Sequence, residues 1–136
     1  MPELAQIEKV VFLQSADLFA FCKAEQILHL ASIARERVYA EGEAIFEPGQ
    51  PAGELHCVVR GLVRLNNDAG KSQVGPLQAF GVRDVLTGRL RTGTAMAGAE
   101  TLVLSIDTDD FFDLLANDVE IVKAIFRQCL GNGATG

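Results

Sequence analysis

The stretch of sequence that decides the fold reads FGVRDVLTGRLRTGTA, from Phe80 to Ala95. A Phe-Gly pair leads into a short apolar turn and a surface glycine, Gly88, and an arginine with a threonine beside it follows at Arg91 and Thr92. Backbone N–H groups that converge at a short helical turn, with one cation nearby, are what a protein needs to hold a small anion. The stretch therefore predicts a loop that surrounds one small anion.

Composition and charge narrow the class of protein. The chain has 136 residues, enough for one domain that buries roughly two thirds of the surface its unfolded chain would expose. Its net charge of −6 leaves no basic stripe, so direct binding of nucleic acid is not expected. The cysteines Cys22, Cys57 and Cys129 are widely spaced and form no Cys-x-x-Cys pair. This pattern favours a reducing compartment over a disulfide framework or a thiolate zinc site.

The N-terminus indicates neither a secretory signal nor a membrane anchor. Glu3 and Glu8 lie before and within its apolar stretch, and no basic segment precedes them. No run of the chain approaches the roughly 18 apolar residues that span a bilayer. We therefore expect a cytoplasmic location without membrane insertion. The sequence leaves open whether the chain is one module of a larger protein with a fused output domain.

Two amphipathic helices are predicted in the N-terminal part of the chain. Apolar residues recur at helical spacing over residues 2–13 and again over residues 23–35. The charged residues 35–37 are predicted to end the second helix in solvent. Phe19 and Phe21, which lie between the two helices, are expected to fill the core.

Short β-rich runs separated by turn residues follow between residues 37 and 107 and predict a β-sandwich or a jelly-roll barrel. The runs are Val38-Tyr39, Ala44–Phe46, Leu55–Val59, Leu62–Leu65 and Thr101–Asp107. The residues that separate them are Gly42, Pro48, Gly49, Pro51, Gly61 and the turn at 67–70.

Two more helices are predicted after the strands. Thr108 is expected to cap the first of them, and Asp109 and Asp110 stand in its first turn, where negative charge suits the helix dipole. The second is expected to run from Val119 to Leu130 and to end at Gly131.

Taken together, the elements predict one domain over residues 1–136, mainly β with flanking helices. It would comprise a helical lead over 1–36, a β-barrel over 37–107, C-terminal helices over 108–131 and a flexible tail over 132–136.

The loop and the spaced turn glycines together resemble the cyclic nucleotide-binding domain family, of the catabolite activator and protein kinase A regulatory subunit type. Gly42, Gly49 and Gly61 stand where that family turns its early strands, and the resemblance extends from about Ile7 to Leu130. It implies the family's β-roll or jelly-roll barrel with N-terminal helices and two C-terminal helices. It also implies a regulatory domain of signal transduction that senses a cyclic nucleotide, cAMP or cGMP, and uses no cofactor.

By this resemblance residues 80–95 form a phosphate-binding cassette, a name we keep for them. The implied ligand-binding residues are Phe80, Gly81, Val82, Arg83, Asp84, Val85, Leu86, Arg91, Thr92 and Gly93. Residues 81–86 would supply backbone N–H groups, and Arg91 would be the phosphate cation, because its planar guanidinium can hold two oxygens. Thr92 stands where the family places a residue whose amide or hydroxyl reaches the phosphate. Arg91→Ala is therefore expected to abolish binding and to leave the fold intact.

The cassette departs from the family pattern at Val82, where the family has a glutamate that accepts a hydrogen bond from the ribose 2′-hydroxyl. Losing a hydrogen bond to a charged acceptor costs roughly 1.5–3 kcal/mol, on the order of 10- to 100-fold in affinity. We therefore expect weakened or altered binding in this chain and tighter binding in Val82→Glu.

Three further positions of the cassette differ from the family. Gly93 replaces a common alanine, and Leu90 replaces a proline, a change that should only loosen the loop. Asp84 replaces a small apolar residue and leaves three alternatives open. Its carboxylate takes over the ribose contact, or lies near the phosphate and repels it, or is an ordinary surface group.

An enzyme on the same barrel would need a cluster of metal ligands or an activated nucleophile. The two histidines, His29 and His56, have no metal-ligand spacing, and no serine stands in a G-x-S-x-G turn. Neither an enzyme nor a metal site is predicted.

Two interpretations remain: a sensor of cyclic nucleotides with weakened affinity, and a degenerate barrel that acts in protein interaction or dimerisation. The apolar residues around the last helix fit a homodimer interface or lid as well as a helix packed on the barrel from both sides.

Overall fold

Two four-stranded antiparallel sheets form the centre of the protein, and helices flank them. The structure is a computed structural model and describes residues 4–131. The helices are α1 (Gln6–Ser15), α2 (Ala24–Ile33), α3 (Val82–Thr87), α4 (Thr108–Asn117) and α5 (Val119–Gly131), with a short 3-10 helix at Asp17–Phe19. The strands are β1 (Ala34–Tyr39), β2 (Ala44–Phe46), β3 (Glu54–Arg60), β4 (Val63–Asn67), β5 (Gly70–Val74), β6 (Ala79–Phe80), β7 (Thr94–Ala97) and β8 (Thr101–Asp107).

The strand order is β1-β8-β3-β6 in one sheet and β2-β7-β4-β5 in the other. Neighbouring strands of both sheets run antiparallel. Helices precede the sheets and follow them, and one short helix, α3, is inserted between β6 and β7. The predicted fold class, a jelly-roll-like β-roll with flanking helices, is confirmed.

The central strand β8 is buried along almost its whole length, and its neighbour β3 is buried over its four residues 55–58. Both faces of these strands are covered, so their residues do not alternate between apolar and polar. One face contributes to a helix-side cluster, which joins Leu55 and Leu104 to Leu13, Leu30, Phe111 and Ile121 of the helices. The other face contributes to an inter-sheet cluster, which joins Val58 and Val103 to Leu65, Val74 and Ala95 of the second sheet.

The N-terminal helices differ in their bounds from the prediction. Helix α1 spans Gln6–Ser15 rather than residues 2–13, of which residues 2 and 3 lie outside the described part of the chain. Helix α2 ends at Ile33, and the charged residues 35–37 belong to β1. The prediction that they end the helix in solvent was wrong, because all six residues of β1 pair with β8. Tertiary pairing here overrides a local helical pattern, and the strands begin at Ala34.

Of the two phenylalanines expected to fill the core, only Phe19 does so. Phe19 belongs to the helix-side cluster, whereas Phe21 is 52% exposed. Phe19 is the last residue of the 3-10 helix, and a turn follows it. Residues two positions apart in such a turn point in different directions, so both rings cannot enter the same core.

The helix caps at the C-terminal end also differ in one residue. Asp107, not Thr108, caps α4, because its carboxylate accepts a hydrogen bond from the Asp110 N–H at 3.0 Å. The Thr108 hydroxyl instead donates to the Ala52 carbonyl at 2.7 Å. Helix α5 begins at Val119, as predicted. The predicted tail at 132–136 lies outside the described residues.

The helices described here are short. Over residues 4–131, none has the length and apolar character needed to cross a lipid bilayer.

Candidate functional site

The phosphate-binding cassette is built between two glycines with a left-handed backbone. Gly81 has a φ of 73° and precedes the six residues of α3, and Gly88 has a φ of 68° and ends this helix. Within the helix the Thr87 hydroxyl donates to the Arg83 carbonyl at 2.7 Å. Glycine adopts this backbone region without strain, so the two glycines determine where the short helix begins and ends.

Gly81 is also required for packing. A Cβ at this position would lie 2.9 Å from Nη1 of Arg91 and 3.3 Å from the ring of Phe46. Any side chain there would displace the guanidinium. The observed position of the Arg91 guanidinium therefore requires a glycine at position 81.

Arg91 is buried, and groups of the protein itself hold its guanidinium. The side chain is 2% exposed. Nη1 donates to the Gly81 carbonyl at 2.8 Å, and Nη2 donates to the Glu54 carbonyl on β3. The guanidinium carbon lies 4.0 Å from the centre of the Phe46 ring on β2, which is the geometry of a cation–π contact. Arg91 thus connects the cassette to both sheets.

The charge of Arg91 is only partly compensated. The Asp84 carboxylate lies 3.8 Å from Nη1, and Nε has no hydrogen-bond partner within residues 4–131. Burial lowers the pKa of Arg91, and the negative charges of Asp84 and Glu54 act in the opposite direction. The guanidinium is therefore a buried cation whose Nε–H is unpaired within the described residues.

A cavity of about 230 Å³ lies between the cassette and the β4–β5 hairpin. The hairpin lines it with Leu65, Asn67, Asp68, Ala69, Gly70, Lys71 and Ser72, and the cassette lines it with Gly81, Arg83, Asp84, Thr92, Gly93 and Thr94. Phe46 of β2 completes the lining. The volume is somewhat below the roughly 300–1,000 Å³ of pockets for drug-sized ligands, so the cavity suits one small polar molecule.

The charges that line the cavity are balanced. Two cations, Arg83 and Lys71, and two carboxylates, Asp68 and Asp84, belong to its lining. Within the described residues neither Arg83 nor Lys71 forms an ion pair. These two cations are therefore available to an anion in the cavity, whereas Arg91 is engaged behind it.

The structure brings half of the predicted ligand-binding residues to the cavity. Gly81, Arg83, Asp84, Thr92 and Gly93 line it, and Phe80, Val82, Val85, Leu86 and Arg91 do not. The side chains of Phe80 and Val85 are buried in the core, and Leu86 is exposed.

Val82, at the family's glutamate position, is 5% exposed and belongs to the helix-side cluster. A glutamate on this backbone would place its carboxylate among apolar side chains, which is costly unless the charge is paired. The gain in binding expected from Val82→Glu therefore requires α3 to move so that the side chain leaves the cluster.

Asp84 is not an ordinary surface group. Its side chain is 13% exposed, lines the cavity and lies beside Arg91. The sequence leaves three roles open for Asp84. Its position near the Arg91 guanidinium supports the two roles in which the carboxylate affects a ligand, by contacting the ribose or by repelling the phosphate.

Sequence reasoning missed two parts of the site, the ring of Phe46 and the wall formed by residues 67–72. The sequence predicts residues 67–70 only as a turn. Its place over the cassette depends on the pairing of β4 with β7, which sets Asn66 opposite Thr94. No local signal carries this information, because the paired residues are far apart in the sequence.

Gly93 allows the cassette to approach β4 closely. A Cβ at Gly93 would lie 2.5 Å from the Cβ of Asn67 and would also meet the Asn66 carbonyl. The alanine that the family commonly has at this position would push the hairpin away. The departure at Gly93 therefore narrows the cavity on this side.

A buried histidine lies behind the cassette. The His56 ring stacks on Phe80, with centroids 4.9 Å apart, and its Nδ1 is 2.7 Å from the Ser105 hydroxyl. Burial lowers the pKa of His56 to about 3, and the positive charges of Arg91 and Arg37 add to the effect. Over residues 4–131 no group of three or more His, Cys, Asp or Glu side chains is placed to hold a metal ion.

The comparisons with known proteins agree with this architecture. Residues 36–118 match the model of the cyclic nucleotide-binding domain. The chain is 26% identical over 125 residues to a cGMP-dependent 3′,5′-cGMP phosphodiesterase A of Dictyostelium discoideum, a match that covers 92% of this chain and 14% of that protein. It spans between 14% and 32% of the length of the curated relatives that it matches.

Solved structures show the same likeness. The crystal structure of the N-terminal domain of a transcriptional regulator from Streptomyces coelicolor is 25% identical with a TM-score of 0.75, and the match covers 92% of this chain and 98% of that one. The catabolite activator protein of Thermus thermophilus is 25% identical with a TM-score of 0.72, over 85% of this chain and 57% of that one. The family match includes the whole cassette and both sheets apart from the first two residues of β1, so the chain belongs to the cyclic nucleotide-binding domain family.

Proposed function

We propose that this chain is a regulatory module that binds a cyclic nucleotide, cAMP or cGMP, with weakened affinity in the cavity between the cassette and the β4–β5 hairpin. The observation that carries the proposal is the lining of this cavity by the cassette residues Gly81, Arg83, Asp84, Thr92 and Gly93. Membership of the family supports the class of ligand. The hydroxyl of Thr92 can donate a hydrogen bond to a phosphate oxygen, and Arg83 and Lys71 can supply positive charge.

Arg91 remains the proposed phosphate cation, but it must exchange partners to act as one. Its two Nη groups already donate to the carbonyls of Gly81 and Glu54. Giving up one charge-assisted hydrogen bond costs roughly 1.5–3 kcal/mol, which lowers affinity on the order of 10- to 100-fold. This cost supports weak rather than tight binding.

The ribose end of the ligand would also be held weakly. Val82 has no hydrogen-bonding group, and its side chain is buried in the helix-side cluster. A cyclic nucleotide in this cavity would therefore lack the acidic acceptor for its 2′-hydroxyl, unless Asp84 provides one. The engaged guanidinium of Arg91 and the missing acceptor at Val82 therefore both lower the expected affinity for a cyclic nucleotide.

Occupancy of the cavity would be transmitted through the apolar face of α3. Val82 and Val85 of α3 belong to the same helix-side cluster as Ile121 and Ile125 of α5. Close-packed side chains transmit a displacement of one helix to its neighbours, because the cluster cannot absorb it as free volume. An output domain or partner that contacts α5 would in this way respond to the ligand.

A second candidate function is favoured by a separate observation. Val119, Phe126 and Leu130 of α5 are exposed, and Phe126 is exposed by 60%. An apolar helix face of this kind fits a degenerate barrel that forms a homodimer or binds another protein through α5. The engaged state of Arg91 is consistent with a barrel that no longer binds a nucleotide.

Calorimetric titration with cAMP and cGMP, up to millimolar ligand, tests the proposal. We expect dissociation constants between about 1 μM and several hundred μM, which correspond to about −8 to −5 kcal/mol. The absence of heat at millimolar ligand would overturn the proposal and favour the degenerate barrel.

A pair of matched variants locates the site in the same experiment. Thr92→Val removes a hydroxyl that lines the cavity and should weaken binding about fivefold or more. Thr108→Val removes a hydroxyl that donates to Ala52 elsewhere in the fold and should leave the affinity unchanged. Equal effects of the two variants would contradict the assignment of the cavity.

A further inference from the structure

We infer that Asp84 is an internal anion of the cassette that competes with the ligand's phosphate for Arg91 and makes the site discriminate against negatively charged ligands. The inference rests on the function proposed above and names the residue that sets its charge selectivity. The family has a small apolar residue at this position, so the carboxylate is a feature of this chain.

Asp84 belongs to the lining of the cavity, and its carboxylate lies beside the cation. Oδ2 of Asp84 lies 3.8 Å from Nη1 of Arg91, and the Asp84 side chain lines the cavity while Arg91 does not. A phosphate that approaches Arg91 through this cavity therefore meets Asp84. Two negative charges that come within a few Å of each other repel, and the repulsion grows where the surroundings are less polar than water.

The other charges around Arg91 do not remove this competition. The guanidinium has two carbonyl partners and one carboxylate at ion-pair distance. Among residues 4–131, Asp84 supplies the carboxylate at ion-pair distance from Arg91, and Arg91 would lose this partner if a phosphate displaced it. The phosphate would replace the charge of Asp84 rather than add a new attraction, so little affinity is gained by the exchange.

A neutral ligand meets a different site. An ionised carboxylate accepts hydrogen bonds, so Asp84 can hold a hydroxyl of an uncharged nucleoside without disturbing Arg91. The same residue that opposes a phosphodiester therefore tolerates or favours its uncharged analogue. If Asp84 acts as a competing anion, its substitution changes the affinities for charged and uncharged ligands differently. A merely structural role of Asp84 would change both affinities alike.

The experiment measures the affinities of cAMP and of adenosine for the wild type and for Asp84→Asn by calorimetry. The substitution keeps the shape of the side chain and removes its charge. We expect the affinity for cAMP to rise about tenfold or more and the affinity for adenosine to stay the same or to fall. Asp84→Ala, which restores a small residue, is the second variant, and circular dichroism verifies that both variants are folded.

Asp68→Asn is the matched control. It removes one negative charge from the opposite wall of the same cavity, and Asp68 forms no ion pair within residues 4–131. Its gain in cAMP affinity should be clearly smaller than that of Asp84→Asn. An equal gain would overturn the inference, because it would assign the effect to the overall charge of the cavity.

The remaining outcomes separate this inference from the proposed function. If the wild type binds cAMP and Asp84→Asn binds it no better, or gains equally for adenosine, the inference fails and the function stands. If only the Asp84 variants bind cAMP, the inference holds and the wild type is not a nucleotide sensor. If no variant binds cAMP at millimolar concentration, both fail.

Discussion

Arg91 combines two tasks that compete with each other. As the proposed phosphate cation it must be able to reach a ligand, and as part of the fold it joins the carbonyls of Gly81 and Glu54 and packs on Phe46. A buried arginine with two carbonyl partners is structural in its own right. The sequence-based expectation that Arg91→Ala leaves the fold intact therefore has to be revised.

We expect Arg91→Ala to destabilise the protein by about 2–4 kcal/mol without any ligand, because two carbonyls lose their donors and the ring of Phe46 loses its partner. Urea unfolding followed by circular dichroism measures this difference. Arg89→Ala is the control, since Arg89 is exposed and should change stability by less than about 0.5 kcal/mol. Equal stability of Arg91→Ala and the wild type would show that the guanidinium contributes nothing to the fold.

At the scale of the elements, α5 shows two different faces. Ile121, Ala124 and Ile125 are buried against the rest of the protein, whereas Val119 and Phe126 are exposed. Of the two interpretations of its wide apolar coverage, packing on the barrel from both sides does not hold. The outer face remains free for the proposed homodimer or another partner.

Truncating a side chain to alanine should change the free energy of unfolding by different amounts on the two faces of α5. Ile121→Ala should destabilise the protein by about 2–4 kcal/mol, because it removes buried methyl groups and leaves a cavity. Phe126→Ala should cost less than about 0.5 kcal/mol in a monomer. A cost of Phe126→Ala as large as that of Ile121→Ala would mean that the outer face is covered by a second copy, which sedimentation velocity would then detect.

At the scale of the whole molecule, a neutral histidine lies where the two sheets and the cassette meet. His56 belongs to the central strand β3 and stacks between residues of the two sheets, Phe80 and Phe46. An imidazolium there would lie in the field of Arg91, which together with burial explains the low pKa of His56. The fold therefore depends on His56 staying uncharged.

This dependence predicts a loss of stability in acid. The folded pKa of His56, about 3, lies below its ordinary value of 6.5, so the unfolded chain takes up a proton that the folded protein does not. The stabilisation is complete above pH 6.5 and declines as the pH falls towards 3, by about 1.4 kcal/mol per pH unit.

Urea unfolding at pH 7 and at pH 5 compares the wild type with His56→Gln. Between these values the wild type should lose about 2 kcal/mol more than the variant, because glutamine does not titrate. Parallel declines in both proteins would show that carboxylates alone cause the acid sensitivity.

Local signals were sufficient for much of the molecule. Turn chemistry and hydrophobic patterning over a few residues predict the bounds of β2 and β8 and the start of α5. They also predict the two glycines that frame α3. Gly42, Gly49 and Gly61 have positive φ, as residues at such turns require. The sequence by itself therefore determined the fold class and the positions of several elements, but not β5, β6 or β7.

Only the tertiary structure decided which side chains face the cavity. Pairing and packing between distant parts of the chain decide three features of the site and its surroundings. They decide that residues 34–39 form a strand, that the β4–β5 hairpin covers the cassette and that Val82 enters the core. The engagement of Arg91 by Gly81 and Glu54 depends on them as well. Sequence patterns report the preferences of neighbouring residues, whereas these contacts arise only when the sheets and helices pack together.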